Sequence, residues 1–191
     1  MSDPLLEILK KRSIRTGVFT LTSGRKSDLY VDCKQTLLDP EGMALVGSRL
    51  FDLLVREDLM EIEAIAGTSV GGDPMVCSMV LKARQRGYNI PGLFVRKAPK
   101  DHGTQAAIDG AGRFGFCGDT LKVVLLEDVI TTGGSTLRSI NRLREDHFEV
   151  VAVFVLLDRC EGGREALEAE VPVVRSLFTR ADVVSRDAKK G

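Results

Sequence analysis

The chain has no surplus of charge, no clustered cysteines and no long apolar run, and each absence removes a class of function. Twenty-seven Lys and Arg offset 27 Asp and Glu, giving a formal net charge of zero. Proteins that hold nucleic acid nonspecifically carry a basic surplus, so a nucleic-acid partner is not expected. Cys33, Cys77, Cys117 and Cys160 stand 40 or more residues apart, with no C-x-x-C pair among them. A zinc site would need tighter spacing, and a disulfide framework belongs to smaller secreted chains. Free thiols in a reducing cytoplasm are the simpler reading. The opening residues MSDPLLEILKKR lack the apolar core of a signal peptide, and no stretch approaches the ~20 apolar residues of a membrane span. A cytoplasmic location without a membrane partner is the expectation. No Gly-Lys-Ser/Thr sequence closes a Walker A loop, which excludes a P-loop nucleotidase.

What is present is an ordinary core. The 191 residues are 43% hydrophobic, a length and composition that suit one globular domain. Ser2 or Asp3 can cap a first helix that has Pro4 at its first position, and Asp39-Pro40 opens a second. Val18–Lys34 reads as two strand pieces around a Ser-Gly turn. Short apolar runs then follow at Glu63–Gly67, Gly92–Lys97, Lys122–Asp128, Glu149–Asp158 and Val171–Phe178. Helical stretches separate most of them, with Pro74 opening one and another running to about Glu145. Such alternation predicts an α/β fold with a mostly parallel sheet covered on both faces. Ligands bind beyond the carboxyl ends of such strands, where the glycine-rich loops at 67–72 and 131–135 both fall. Gly103–Asp119 carries five glycines and little periodicity, so it reads as a mobile excursion of the kind that forms active-site lids.

Two short motifs are discarded or demoted. GAGRFG (Gly110–Gly115) fits the dinucleotide pattern G-x-G-x-x-G, but it lies inside the glycine-rich excursion and a strand follows it, where the motif needs a helix. GTSVG (Gly67–Gly71) fits the hydrolase elbow, and a serine hydrolase using Ser69, Asp128 and His147 is a distant alternative. That reading leaves the second carboxylate, the 131–136 loop and the basic cluster unexplained.

The richest stretch is KVVLLEDVITTGGSTL, Lys122–Leu137. An apolar strand runs into a Thr/Gly/Ser loop whose backbone N–H groups suit a phosphate, with a helix N-terminus behind it. Two carboxylates stand directly before that loop. Glu127 and Asp128 suit a vicinal diol, each hydroxyl donating to an ionised oxygen. A ribose 5-phosphate satisfies both halves at once. A second cluster, RKAPKDHG, gathers Arg96, Lys97, Lys100 and His102 at the root of the glycine-rich excursion. Cations there suit a pyrophosphate whose charge grows as a glycosidic bond breaks. The plainer reading of the cluster is a solvated basic turn.

The run VVLL-ED-VITTGGS resembles the phosphoribosyl-pyrophosphate signature of type I phosphoribosyltransferases. RKAPKDHG resembles the R-K-x-x-K-x-H-G loop of the orotate phosphoribosyltransferases. FTLTSGRKSDLYVD (Phe19–Asp32) and LLDRCEGGRE (Leu156–Glu165) resemble two further segments of that family, in the family's order. The resemblance implies a type I phosphoribosyltransferase fold with a helix and small N-terminal hood over 1–35, a flexible catalytic loop over 97–119 and a polar tail over 182–191. It implies transfer of phosphoribose from phosphoribosyl pyrophosphate to orotate with Mg²⁺, the metal being held mainly through substrate.

By position, the resemblance assigns Arg96, Lys97, Lys100, His102 and the run Glu127, Asp128, Val129, Ile130, Thr131, Thr132, Gly133, Gly134, Ser135 to the phosphoribosyl donor. Lys100, His102 and Asp128 are its catalytic candidates. Thr131 and Arg159 are the orotate contacts; for Arg159 the alternative is an ion pair to Asp158 or Glu161. It also implies a homodimer in which Lys97, Lys100 and His102 reach the neighbouring subunit's site. Many members carry Lys directly before S-G-R where this chain has Thr22, and Lys26 is the candidate replacement. A non-catalytic regulator of the same fold and a purine phosphoribosyltransferase are the alternatives.

Overall fold

The computed structural model describes residues 3–20, 26–68, 70–97, 107–114 and 120–184, the side chains of Thr20 and Phe114 excepted. The chain opens with α1 (Pro4–Ser13), whose Asp3 carboxylate accepts from the N–H groups of Leu5 and Leu6. Asp3 therefore fills the N-cap role, with Pro4 at a position that needs no N–H partner. Strands β1 (Ile14–Thr20) and β2 (Lys26–Val31) follow as an antiparallel pair that forms its own two-stranded sheet. The first strand begins four residues before the expected Val18, because Ile14, Arg15 and Thr16 pair with Val31, Tyr30 and Leu29. A short α2 (Lys34–Leu37) leads to α3 (Pro40–Arg56), capped by Asp39 through the N–H of Gly42.

The remainder is the expected alternation. Strand β3 (Ala64–Thr68), helix α4 (Gly72–Gln85), β4 (Gly92–Val95), β5 (Ile108–Asp109), β6 (Leu121–Ile130), α5 (Gly134–Glu145), β7 (Phe148–Asp158), α6 (Gly163–Glu168), β8 (Val173–Thr179) and α7 (Arg180–Val183) complete it. The main sheet has the order β5-β4-β3-β6-β7-β8. All its pairings are parallel except β4 with β5. The fold class read from the sequence is therefore observed.

Residues alternate between faces with a period of two. Val124 and Leu126 join Ile65, Phe154 and Leu156 in a core packed with α3 and α4 residues such as Leu50, Leu54, Met75 and Met79. Val123 and Leu125 join Ala66, Val153 and Val155 on the other face, with Ile140 and Leu143 of α5. All of these are fully buried, and each large aliphatic side chain contributes roughly 1.5–3 kcal/mol relative to exposure. This two-sided burial suits the place of β6 at the centre of the sheet.

Local departures from the sequence reading are small. Helix α4 starts at Gly72, so Pro74 sits inside its first turn rather than at its opening. The strand expected over Gly92–Lys97 ends at Val95. Part of the glycine-rich excursion is ordered: Ile108 and Asp109 pair with Val95 and Phe94, and Ala111–Phe114 forms one 3₁₀ turn. Two residues of strand are too few for an alternation to register in a sequence. Cys33, Cys77 and Cys160 are unpaired, Cys33 being buried.

Candidate active site

The carboxyl ends of β3, β6 and β7 lie side by side, so the segments that follow them converge. Glu127, near the end of β6, is only 5% exposed. Its Oε1 accepts a 2.5 Å hydrogen bond from Thr68 Oγ1, at the end of β3. Its Oε2 accepts a 2.7 Å bond from Thr136 Oγ1, in the first turn of α5. Asp128 accepts from the Val129 N–H at 2.9 Å. Burial is the main cause that raises the carboxyl of Glu127, to about 7, while the two hydroxyl donors oppose it and the neighbouring Asp128 adds to it. Burial raises Asp128 as well. Two adjacent carboxyls in one dry place resist ionising together.

Glycines shape the walls around this pair. A Cβ at Gly71 would stand 2.1 Å from the Asp128 carboxyl carbon, so only glycine lets the segment after β3 close on the acid. A Cβ at Gly163, the first residue of α6, would meet Thr131 O at 2.5 Å and Gly133 N at 2.9 Å. Gly163 is thus the backing of the 131–133 loop. That loop turns at Gly133 with φ of +78° and passes into α5, whose 12 residues give its N-terminus a dipole able to attract an anion.

Two clefts flank the loop. One, about 630 Å³, is lined by Thr68, Gly71, Lys97, Glu127, Asp128, Val129 and Ser135. Lys34, Arg138 and Arg142 also line it; sequence reading missed all three. The signal for two of them was present, since Arg138 and Arg142 lie four residues apart on the helix that leaves the loop, and so share one face. The other cleft, about 690 Å³, is lined by Val18, Lys26, Ser27, Asp28, Thr132, Arg159, Glu161 and Arg180.

The predicted residues therefore separate. Lys97, Glu127, Asp128, Val129 and Ser135 share one cleft, whereas Thr132, Arg159 and Lys26 share the other. Gly133 and Ile130 are buried; Thr131 and Gly134 are partly exposed. Arg96 lines neither cleft: its Nε pairs with Asp109 Oδ2 at 2.6 Å, and Arg142 donates to the carbonyls of Arg96 and Lys97. Arg159 lies 2.9 Å from Glu161 Oε1 and donates through Nη2 to Ser27 Oγ at 3.0 Å. Thr22, Ser69, Lys100 and His102 lie outside the described residues. The hydrolase alternative fails on geometry. The carbonyl of His147 accepts from the N–H of Leu121 at the start of β6, whereas Asp128 is seven residues further along that strand, roughly 20 Å away.

The chain as a whole resembles known proteins over nearly its full length. The orotate phosphoribosyltransferase of Sorangium cellulosum is 43% identical over 95% of this chain and 92% of its own length. That of Bradyrhizobium diazoefficiens is 39% identical over 93% of each. The chain belongs to the orotate phosphoribosyltransferase family. The crystal structure of the Mycobacterium tuberculosis orotate phosphoribosyltransferase with Fe(III) dicitrate superposes with a TM-score of 0.78 at 31% identity, covering 95% of this chain and 97% of the other. The complex of the M. tuberculosis enzyme with phosphoribosyl pyrophosphate gives 0.75 at 28% identity, covering 94% and 96%. No protein-family profile matches the chain. Family membership makes the chain a pentosyltransferase and removes the regulator and purine readings.

The buried acid of this family member carries a pH signature. Burial pushes the Glu127 carboxyl up from 4.5 to about 7 in the folded chain. Between those values the folded chain holds a proton that the unfolded chain has lost, so this group's contribution to stability falls as pH rises. Glu127→Gln removes that slope. Urea unfolding at pH 5 and pH 8 should show the variant gaining on the natural chain as pH rises, by at most about 3 kcal/mol. Parallel pH dependences would contradict it.

Proposed function

We propose that the chain transfers the 5-phosphoribosyl group from phosphoribosyl pyrophosphate to N1 of orotate, releasing orotidine 5′-monophosphate and pyrophosphate, in pyrimidine nucleotide biosynthesis. One observation carries the reading: an acid pair and a phosphate loop share the end of one strand, with a cationic cleft across the loop. The loop from Thr131 to Ser135 holds the 5-phosphate through backbone N–H groups and the helix N-terminus. Asp128 and Glu127 accept from the ribose hydroxyls; each Glu127 oxygen has one lone pair left after Thr68 or Thr136 is satisfied. Arg159 pairs with the carboxylate of orotate, for which a guanidinium fork is suited.

Breaking the bond at C1 builds positive charge on the sugar and negative charge on the departing pyrophosphate. The acids beneath the ribose favour the first, and Lys97, Lys100 and His102 stabilise the second. Arg138 and Lys34 extend the cationic wall of the same cleft. Among the described residues no group of three or more acidic, His or Cys side chains could cage a metal. Two hard carboxylates beside a pyrophosphate site fit Mg²⁺, which binds through one or two carboxylates and substrate phosphates. When bound, Mg²⁺ would supply charge neutralisation on the leaving group. The chain works as a homodimer whose Lys100 and His102 serve the neighbouring site, whereas Lys97, also expected to cross, lines the acid-lined cleft of its own chain; it acts in the cytoplasm.

The test follows orotate absorbance with protein, Mg²⁺ and phosphoribosyl pyrophosphate. Orotate is consumed with stoichiometric pyrophosphate release, and Lys100→Ala lowers kcat by about two orders of magnitude or more with the circular-dichroism spectrum unchanged, in keeping with the loss of one charge-stabilising donor. Turnover of hypoxanthine or uracil in place of orotate would overturn the substrate assignment. An unchanged rate in the variant would remove Lys100 from the catalytic set.

A further inference from the structure

The cleft that holds Arg159 contains a second arginine that the function so far leaves unused. Arg180 opens α7, directly after β8, and lines the cleft with Lys26, Ser27, Asp28, Thr132, Arg159 and Glu161. Among the described residues that line it, three cations face two carboxylates, leaving one positive charge in excess. The acids are already engaged. Asp28 Oδ2 accepts from Arg180 Nη2 at 2.6 Å, and Glu161 Oε1 lies 2.9 Å from Arg159 Nε. The two pairs form one network, since Asp28 feels the charge of Arg159 and Arg180 feels that of Glu161.

Neither pair is both buried and aligned. The Asp28 side chain is 73% exposed and that of Arg180 32%. Exposed ion pairs add little to stability, so stability does not explain this one. The contact at Arg159 is misaligned. Among the described residues no acceptor completes a hydrogen bond to its buried Nε, although the Glu161 carboxylate is near. A buried donor without an aligned partner is costly, and an incoming acceptor removes that cost. The cleft therefore holds two arginines whose present carboxylate partners are, in one case, mostly in water and, in the other, out of line.

We infer that Arg180 is a specificity-determining residue that binds the anionic group of the acceptor base beside Arg159, and that Asp28 occupies its guanidinium until the substrate arrives. The inference rests on the proposed transfer to orotate. A substrate carboxylate enclosed between two guanidiniums is less hydrated than Asp28 at the cleft mouth, and charge-assisted bonds strengthen as water leaves. The same ring without a carboxylate gains nothing from Arg180.

Steady-state kinetics with orotate and with uracil, at saturating phosphoribosyl pyrophosphate, test this in Arg180→Leu and Asp28→Asn. Arg180→Leu should raise KM for orotate by about tenfold or more, the worth of one charged hydrogen bond. It should leave KM for phosphoribosyl pyrophosphate within about twofold and lower the preference for orotate over uracil. Asp28→Asn should move the other way, lowering KM for orotate a few-fold by freeing Arg180. If both variants raise KM for orotate alike, the pair merely ties β2 to the body and the inference is wrong. An unchanged KM in Arg180→Leu overturns it too. If the natural chain itself fails to use orotate, the proposed function falls first, and the role of Arg180 with it.

Discussion

A single buried carboxylate organises the candidate site. Glu127 is held by Thr68 at the end of β3 and by Thr136 in the first turn of α5, so one side chain ties together a neighbouring strand, its own strand and the helix behind the phosphate loop. Burying that carboxyl opposes its ionisation, and the core on both faces of β6 keeps it in place. Asp128 then takes the more exposed position beside it, against Gly71. The geometry of the phosphate loop follows from the same anchoring: α5 cannot shift without breaking the Thr136 bond, and Gly163 lets α6 press on the loop from behind.

In the proposed transfer, this arrangement would divide one substrate set between two clefts. The acid-lined cleft also carries Lys34, Lys97, Arg138 and Arg142, a mixture suited to a sugar on one side and phosphates on the other. The cleft across the loop holds Arg159 and Arg180 under the β1–β2 sheet. The loop between them presents Ser135 to the first and Thr132 to the second, so a phosphoribosyl group held there is within reach of both a leaving group and an incoming base. Arg142, donating to the carbonyls of Arg96 and Lys97, ties the helix of the phosphate loop to the root of the basic segment.

The parts legible in the sequence are those that are contiguous. Glu127 to Ser135 can be read from one stretch because strand, acids and loop follow one another, and β6 and β7 are apolar enough that burial on both faces is unmistakable. Arg159 is legible beside a glycine pair, but that Gly163 backs Thr131 and Gly133 follows only from the position of α6. Parts assembled from distant elements stayed hidden. Arg180 and Asp28 are 152 positions apart, and nothing local marks either as a partner of Arg159. Arg96 stands in a basic run, yet the antiparallel return at β5 brings Asp109 to it. Periodicity reports which face a residue takes, not which element that face will meet.

The central claim is that the acid pair reads the hydroxyls of a ribose whose phosphate sits in the adjoining loop. Titration calorimetry with ribose 5-phosphate and 2-deoxyribose 5-phosphate addresses it without any catalytic step. The 2-deoxy sugar should bind about tenfold or more weakly, since a hydrogen bond to a charged group is lost, and Asp128→Asn should narrow the difference. Equal affinities of the natural chain for the two sugars would contradict it.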